Sequence, residues 1–123
     1  MKIYLAGPMR GIPEFNFPAF HMAASMLRAE GHEVFSPAER DESTGFNSKD
    51  HPNGDMLTAF AKGFSLREAR SADTKYICEQ ADAIAMLPGW ENSGGARAEH
   101  ALAHTLRHTI IILGDKYLGK PVA

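Results

Sequence analysis

Four short apolar runs, each ended by glycine or proline, alternate along this chain with stretches of helical periodicity. The first is Lys2-Ile3-Tyr4-Leu5-Ala6, stopped by Gly7-Pro8, and the second is Glu33-Val34-Phe35-Ser36, stopped by Pro37. The third runs from Asp82 to Leu87 before Pro88-Gly89, and the fourth from Thr109 to Leu113 before Gly114. Runs this short, rich in Ile, Val, Tyr and Phe, read as strands, and the continuous apolar character of the first predicts burial on both faces.

The intervening segments carry a different period. From Phe15 to Glu30 the apolar residues Phe20, Ala23, Ala24, Met26 and Leu27 recur at helical spacing, and Gly31 stands where a C-cap glycine belongs. Pro18 suits a first turn, which starts the regular helix near Phe17. Two short helical stretches, at about 55–63 and 66–80, are separated near Gly63, and a further helix covers about 95–107. Residues 37–54 are polar and rich in turn formers; the 37–65 segment is long enough to serve as a mobile lid or a subunit contact. Gly119-Lys120-Pro121 reads as a loop.

Strands alternating with helices predict one α/β domain over residues 1–123, with a parallel sheet of about four to five strands. In such sheets ligands sit beyond the carboxyl ends of the strands, where the strand order reverses. Two of those ends, Gly7-Pro8-Met9-Arg10-Gly11 and Pro88 to Gly95, are rich in glycine and polar atoms.

Bulk composition narrows the function classes. The 123 residues are 44% hydrophobic and 23% charged, the balance of a folded globular chain. A net charge of −2 offers no clustered cationic surface for a nucleic-acid duplex, although a small anion needs only one Arg and a few backbone N–H groups. The single cysteine, Cys78, lies near Ile77, Ala81 and Ala83 and reads as a small core hydrophobe. The run Ile3 to Ala6 is too short for a signal segment and nothing approaches a membrane span, so the expected location is cytoplasmic.

On a helical wheel of residues 95–108, Ala98, Leu102, Ala103 and Leu106 form the apolar arc expected to face the sheet. Arg97, His100, His104, Arg107 and His108 fall on the other side. Glu99 does not join them, because it lies three residues before Leu102 and seven before Leu106. A carboxylate inside an apolar arc is costly unless it is compensated. The helix N-terminus and the preceding Asn92-Ser93-Gly94-Gly95, which offers hydroxyl and backbone donors, supply part of that compensation. Glu99 is therefore either a functional carboxylate or a structural, capping one.

Other residues carry similar pairs of readings. Gly7-Pro8-Met9-Arg10-Gly11 is either a plain turn with a solvated Arg10 or a phosphate loop in which the guanidinium joins backbone donors. Trp90 is either a stacking platform for a base or an aromatic lid over the core. Asp73 is either a second site carboxylate or a solvated helix-face residue. The six histidines show no metal spacing, and His100 and His104 lack the HExxH pattern, so no metal is expected. The first loop matches neither GxGxxG nor a Walker A sequence, and no cofactor is implied.

Three segments then resemble a known family. Tyr4-Leu5-Ala6-Gly7-Pro8-Met9-Arg10-Gly11, Ala81-Asp82-Ala83-Ile84, and Ser93-Gly94-Gly95-Ala96-Arg97-Ala98-Glu99-His100-Ala101-Leu102-Ala103 look like the nucleoside 2-deoxyribosyltransferase superfamily, especially its short, often phage-encoded members. The resemblance implies a single three-layer flavodoxin/Rossmann-like domain and cleavage of an N-glycosidic bond. Glu99 matches the family's nucleophile, Tyr4 the residue that orients it, and Asp73 an acidic residue that contacts the sugar or protonates the leaving base. The interval from Asp73 to Asp82 is one residue longer than the family pattern. Many transferases carry Asp six residues before the nucleophile to hold the 5′-hydroxyl; here Ser93 stands there, as in related deoxynucleotide N-hydrolases. Ser93 and Arg10 favour a 5′-monophosphate over a free nucleoside, because a carboxylate would repel the phosphate. The resemblance also implies a homo-oligomer. A protein of the same fold that binds a nucleotide without turning it over is the competing expectation, and a purely structural module is a weaker one.

Overall fold

In the computed structural model, which describes residues 1–119, strand β1 (Lys2–Ala6) has Ile3, Tyr4, Leu5 and Ala6 all inaccessible to solvent. It is buried on both faces because it is central. Strands β2 (Glu33–Phe35), β3 (Ala83–Met86) and β4 (Thr109–Ile112) complete a four-stranded sheet in the order β2-β1-β3-β4. Every pairing is parallel, with Tyr4 opposite Phe35 on one side and Ile84 on the other.

The pleat sends alternate residues to two cores. Ile3 and Leu5, with Ala83 and Ala85, pack under helix α1 (Phe17–Ala29) through Phe17, Phe20, Ala23, Ala24 and Leu27. Tyr4 and Ala6, with Ile84 and Met86, pack on the opposite side under helices α4 (Leu66–Glu79) and α5 (Gly94–Thr105). Helices thus cover both faces, giving the parallel α/β domain that the alternation predicts, in the three-layer, Rossmann-like form that the resemblance implies. Gly31 follows the end of α1 with φ +96°, the left-handed conformation of a C′ glycine.

Three expectations need correction. The segment after β2 is not all loop: Pro37 opens helix α2 (Pro37–Ser43), where its fixed φ suits the first turn, and Ala38 and Asp41 turn inward. A short helix α3 (Met56–Ala61) follows, and Phe46, Phe64 and His51 pack with Phe15 and Phe17 in an aromatic cluster. Cys78 is exposed, since the inward face of α4 is Ala69, Asp73 and Ile77 and the next residue lies a quarter-turn round the helix. In α5 the buried residues are Ala96, Glu99 and Ala103, whereas Ala98 and Leu106 are exposed. The helix is rotated so that two small alanines and the carboxylate meet the sheet side, which displaces the expected apolar arc. The loop expected at Gly119-Lys120-Pro121 lies beyond Gly119 outside the described residues.

Two loops beside the sheet are tied together. Gly11 donates to the carbonyl of Gly54 over 2.9 Å and Glu14 to that of His51 over 3.0 Å. Gly54 has φ +63°, and a side chain there would strike the backbone of Ile12. Glu14, Phe15 and Asn16 are all left-handed, and the Asn16 amide donates to the carbonyl of Pro8 over 2.9 Å.

Candidate active site

Between β1 and β3 the strand order reverses, and there a cleft of about 790 Å³ opens at their carboxyl ends. Its floor is Gly7, Pro8 and Met9 after β1 and Pro88 and Gly89 after β3. Ser93, Gly94, Gly95 and Glu99 come from the start of α5, and the aromatic cluster supplies an opposite wall through Phe15, Phe46 and Phe64. The 37–65 segment contributes Asp41, Met56 and Ala59 to the same lining.

Glu99 is only 6% exposed, in the second turn of its helix. The hydroxyl of Tyr4, itself wholly buried, donates to Glu99 Oε2 over 2.6 Å. Arg70 Nη1 stands 3.6 Å from that same oxygen. Among the described residues no hydrogen bond reaches Oε1. Burial pushes the Glu99 carboxyl up to about 7, and the Tyr4 hydrogen bond and the Arg70 charge oppose that rise. Tyr4 is held well above the ordinary tyrosine range by burial and by the Glu99 charge, so it stays a hydrogen-bond donor.

Asp73 reaches the cleft from α4 and is 5% exposed, with Oδ1 lacking any hydrogen-bond partner among the described residues. Burial, then the neighbouring Glu99 and Asp41 charges, push it up to about 7. Asp41 is raised to about 6, mainly by burial. Three carboxyls therefore converge on the cleft lining, and two of them exchange protons near neutrality.

The loop before α5 is built by its small residues. Ser93 is the N-cap, its Oγ accepting from the Ala96 N–H over 3.2 Å, which leaves the hydroxyl proton available to a ligand. A Cβ on Gly95 would stand 2.7 Å or less from three atoms of the Arg70 guanidinium, so only glycine seats that side chain as it lies. Gly7 is similarly required, because a Cβ there would meet Leu87 at 2.7 Å. Arg10 is exposed on the cleft lining.

Two of the expected binding residues stand elsewhere. Gly11 lies outside the lining, with φ +79°, and serves the turn that meets Gly54. Trp90 is not among the residues lining the cleft; it stacks on His100 at 4.5 Å and 21° and packs against the core on the side of α5. His100 is thereby half-buried, although the wheel puts it on the outer side. Among the described residues no group of three His, Cys, Asp or Glu side chains is arranged to hold a metal ion, and no helix is long and apolar enough to cross a membrane.

Arg70 and Asp41 are site residues that the sequence reading misses. Arg70 had a usable signal, since it lies three residues before Asp73 and so shares its helix face. Asp41 had none, because its segment lacks helical periodicity. No curated protein and no solved structure matches the chain. A family model described as a domain of unknown function (DUF4406) matches residues 1–112, and the chain belongs to that family.

Proposed function

We propose that this chain cleaves the N-glycosidic bond of a nucleoside 5′-monophosphate or nucleoside in two retaining steps, with Glu99 as nucleophile. One observation carries the reading: a buried carboxylate at the cleft between β1 and β3 has one oxygen held by Tyr4 and the other without a hydrogen-bond partner among the described residues. Oε1 attacks the anomeric carbon as the bond to the base breaks, and Asp73 gives its proton to the departing base. The Asp73 carboxylate then takes a proton from water or from an incoming base, whose attack on the anomeric carbon frees Glu99. Two carboxyls titrating near 7 suit this exchange of roles, one ionised and one protonated at neutral pH.

The same reading places a 5′-phosphate against Arg10, the Ser93 hydroxyl and the first N–H groups of α5. It requires no cofactor, and the family resemblance adds a homo-oligomer. The test is incubation with a panel of nucleosides and deoxynucleoside monophosphates, followed by chromatography for free base. Base should be released by the parent and not by Glu99→Ala. Release from no member of the panel, or full activity in the variant, overturns the reading; tight binding without turnover assigns the cleft to ligand capture.

A further inference from the structure

We propose that Arg70 is a positioning residue for Glu99, seated by the absence of a side chain at Gly95, and that it keeps the carboxylate ionised with Oε1 free to react. This deepens the reading of Glu99 as nucleophile and rests on it. The geometry is selective. Arg70 Nη1 and the Tyr4 hydroxyl address the same oxygen, Oε2, from α4 and from β1. The guanidinium lies across the Cα of Gly95, one turn before Glu99 on α5, where any Cβ would overlap it.

Among the described residues, Arg70 is the cation whose charge bears on Glu99. The ionisable groups facing it are Tyr4 from β1 and Arg70 and Asp73 from α4, with Asp41 from α2 and Arg10 from the loop after β1 on the same cleft lining. The strands β3 and β4 carry no ionisable residue. Burial favours a protonated Glu99, while the Tyr4 hydrogen bond and the Arg70 charge favour the ionised form. Arg70 also draws down Asp41 and Asp73. At 46% side-chain exposure it reaches Glu99 from the wet side of the cleft, so it can hold the charge without closing the site.

Gly95 makes the proposal separable from the mere presence of a positive charge. The overlapping atoms are the end of a flexible side chain, so G95A moves the guanidinium and leaves the backbone of α5 in place. The experiment follows the carboxyl resonance of Glu99 by carbon NMR in ¹³C-glutamate-labelled protein, identified by its loss in E99Q. In R70Q and in G95A that carboxyl should titrate about one pH unit higher, and the double variant should move it no further. R70K should restore part of the effect. If base release occurs, its pH profile should move to the alkaline side by a similar interval in both variants, with KM little changed. An unchanged Glu99 titration in R70Q, or a shift in R70Q with none in G95A, overturns the proposal. The NMR readout needs no turnover, so it decides the role of Arg70 even if the base-release assay fails. A thermal melt of each variant identifies misfolding, and R70K, which keeps the charge, then carries the test.

Discussion

The hydroxyl of Tyr4 donates to Oε2 of Glu99 over 2.6 Å, joining the first strand to the last long helix across 95 positions of sequence. Both side chains are almost wholly buried, so this bond is made where no water replaces it. Its loss would leave a desolvated carboxylate with Arg70 as its one remaining partner among the described residues.

Tyr4→Phe removes that donor and little else, since the ring keeps its stack on Phe35 at 5.7 Å. A hydrogen bond to a charged acceptor contributes about 1.5–3 kcal/mol, so base release should slow by roughly 10- to 100-fold. The melting temperature should fall by several degrees, because the same bond is lost from the folded chain. Steady-state kinetics beside a thermal melt measures both, and an undiminished rate would remove Tyr4 from the mechanism.

The raised carboxyls give stability a definite pH dependence. Asp73 and Glu99 titrate near 7 and Asp41 near 6 in the folded chain, against ordinary values of 3.8 for aspartate and 4.5 for glutamate. Between those limits the folded state binds more protons than the unfolded state. The contribution of these groups is therefore fully present below pH about 4 and is lost as pH rises through about 7. Asp73→Asn should flatten that decline and raise stability at pH 8 by on the order of 2 kcal/mol. Urea unfolding at pH 5, 6, 7 and 8 reads the slope; a variant that declines as steeply as the parent contradicts the assignment.

Ser93→Asp separates capping from ligand choice. Aspartate is as good an N-cap as serine, so α5 should keep its start. The added carboxylate would repel a phosphate and accept from a 5′-hydroxyl. The ratio of kcat/KM for a 5′-monophosphate over its nucleoside should fall by at least about tenfold, equivalent to roughly 1.4 kcal/mol. An unaltered ratio would place the phosphate, if one is bound, away from Ser93.

Local pattern made much of this architecture legible. Each expected strand is present within a residue or two, because a short apolar run between helix-forming segments has few other fates. Gly31 and Pro18 marked the end and start of α1 through backbone constraints that need no neighbours. Residues 37–54 have the composition of turns, but Pro37 serves equally as a strand stop and a helix start, and the short α2 is settled by the burial of Ala38 and Asp41.

By itself, then, the sequence determined the alternation of strands and helices and singled out Glu99 as a charge among the apolar positions of its helix. Both follow from periodicities that run along the chain. The tertiary structure alone decided that β1 lies between β2 and β3, and that Tyr4 therefore reaches Glu99. It also decided that Arg70 sits over Gly95, that Trp90 is occupied by His100, and that Asp41 and Asp73 share the cleft. The reason is physical: helix rotation and strand order are set by how whole faces pack, and contacts between distant segments exist only once that packing is complete.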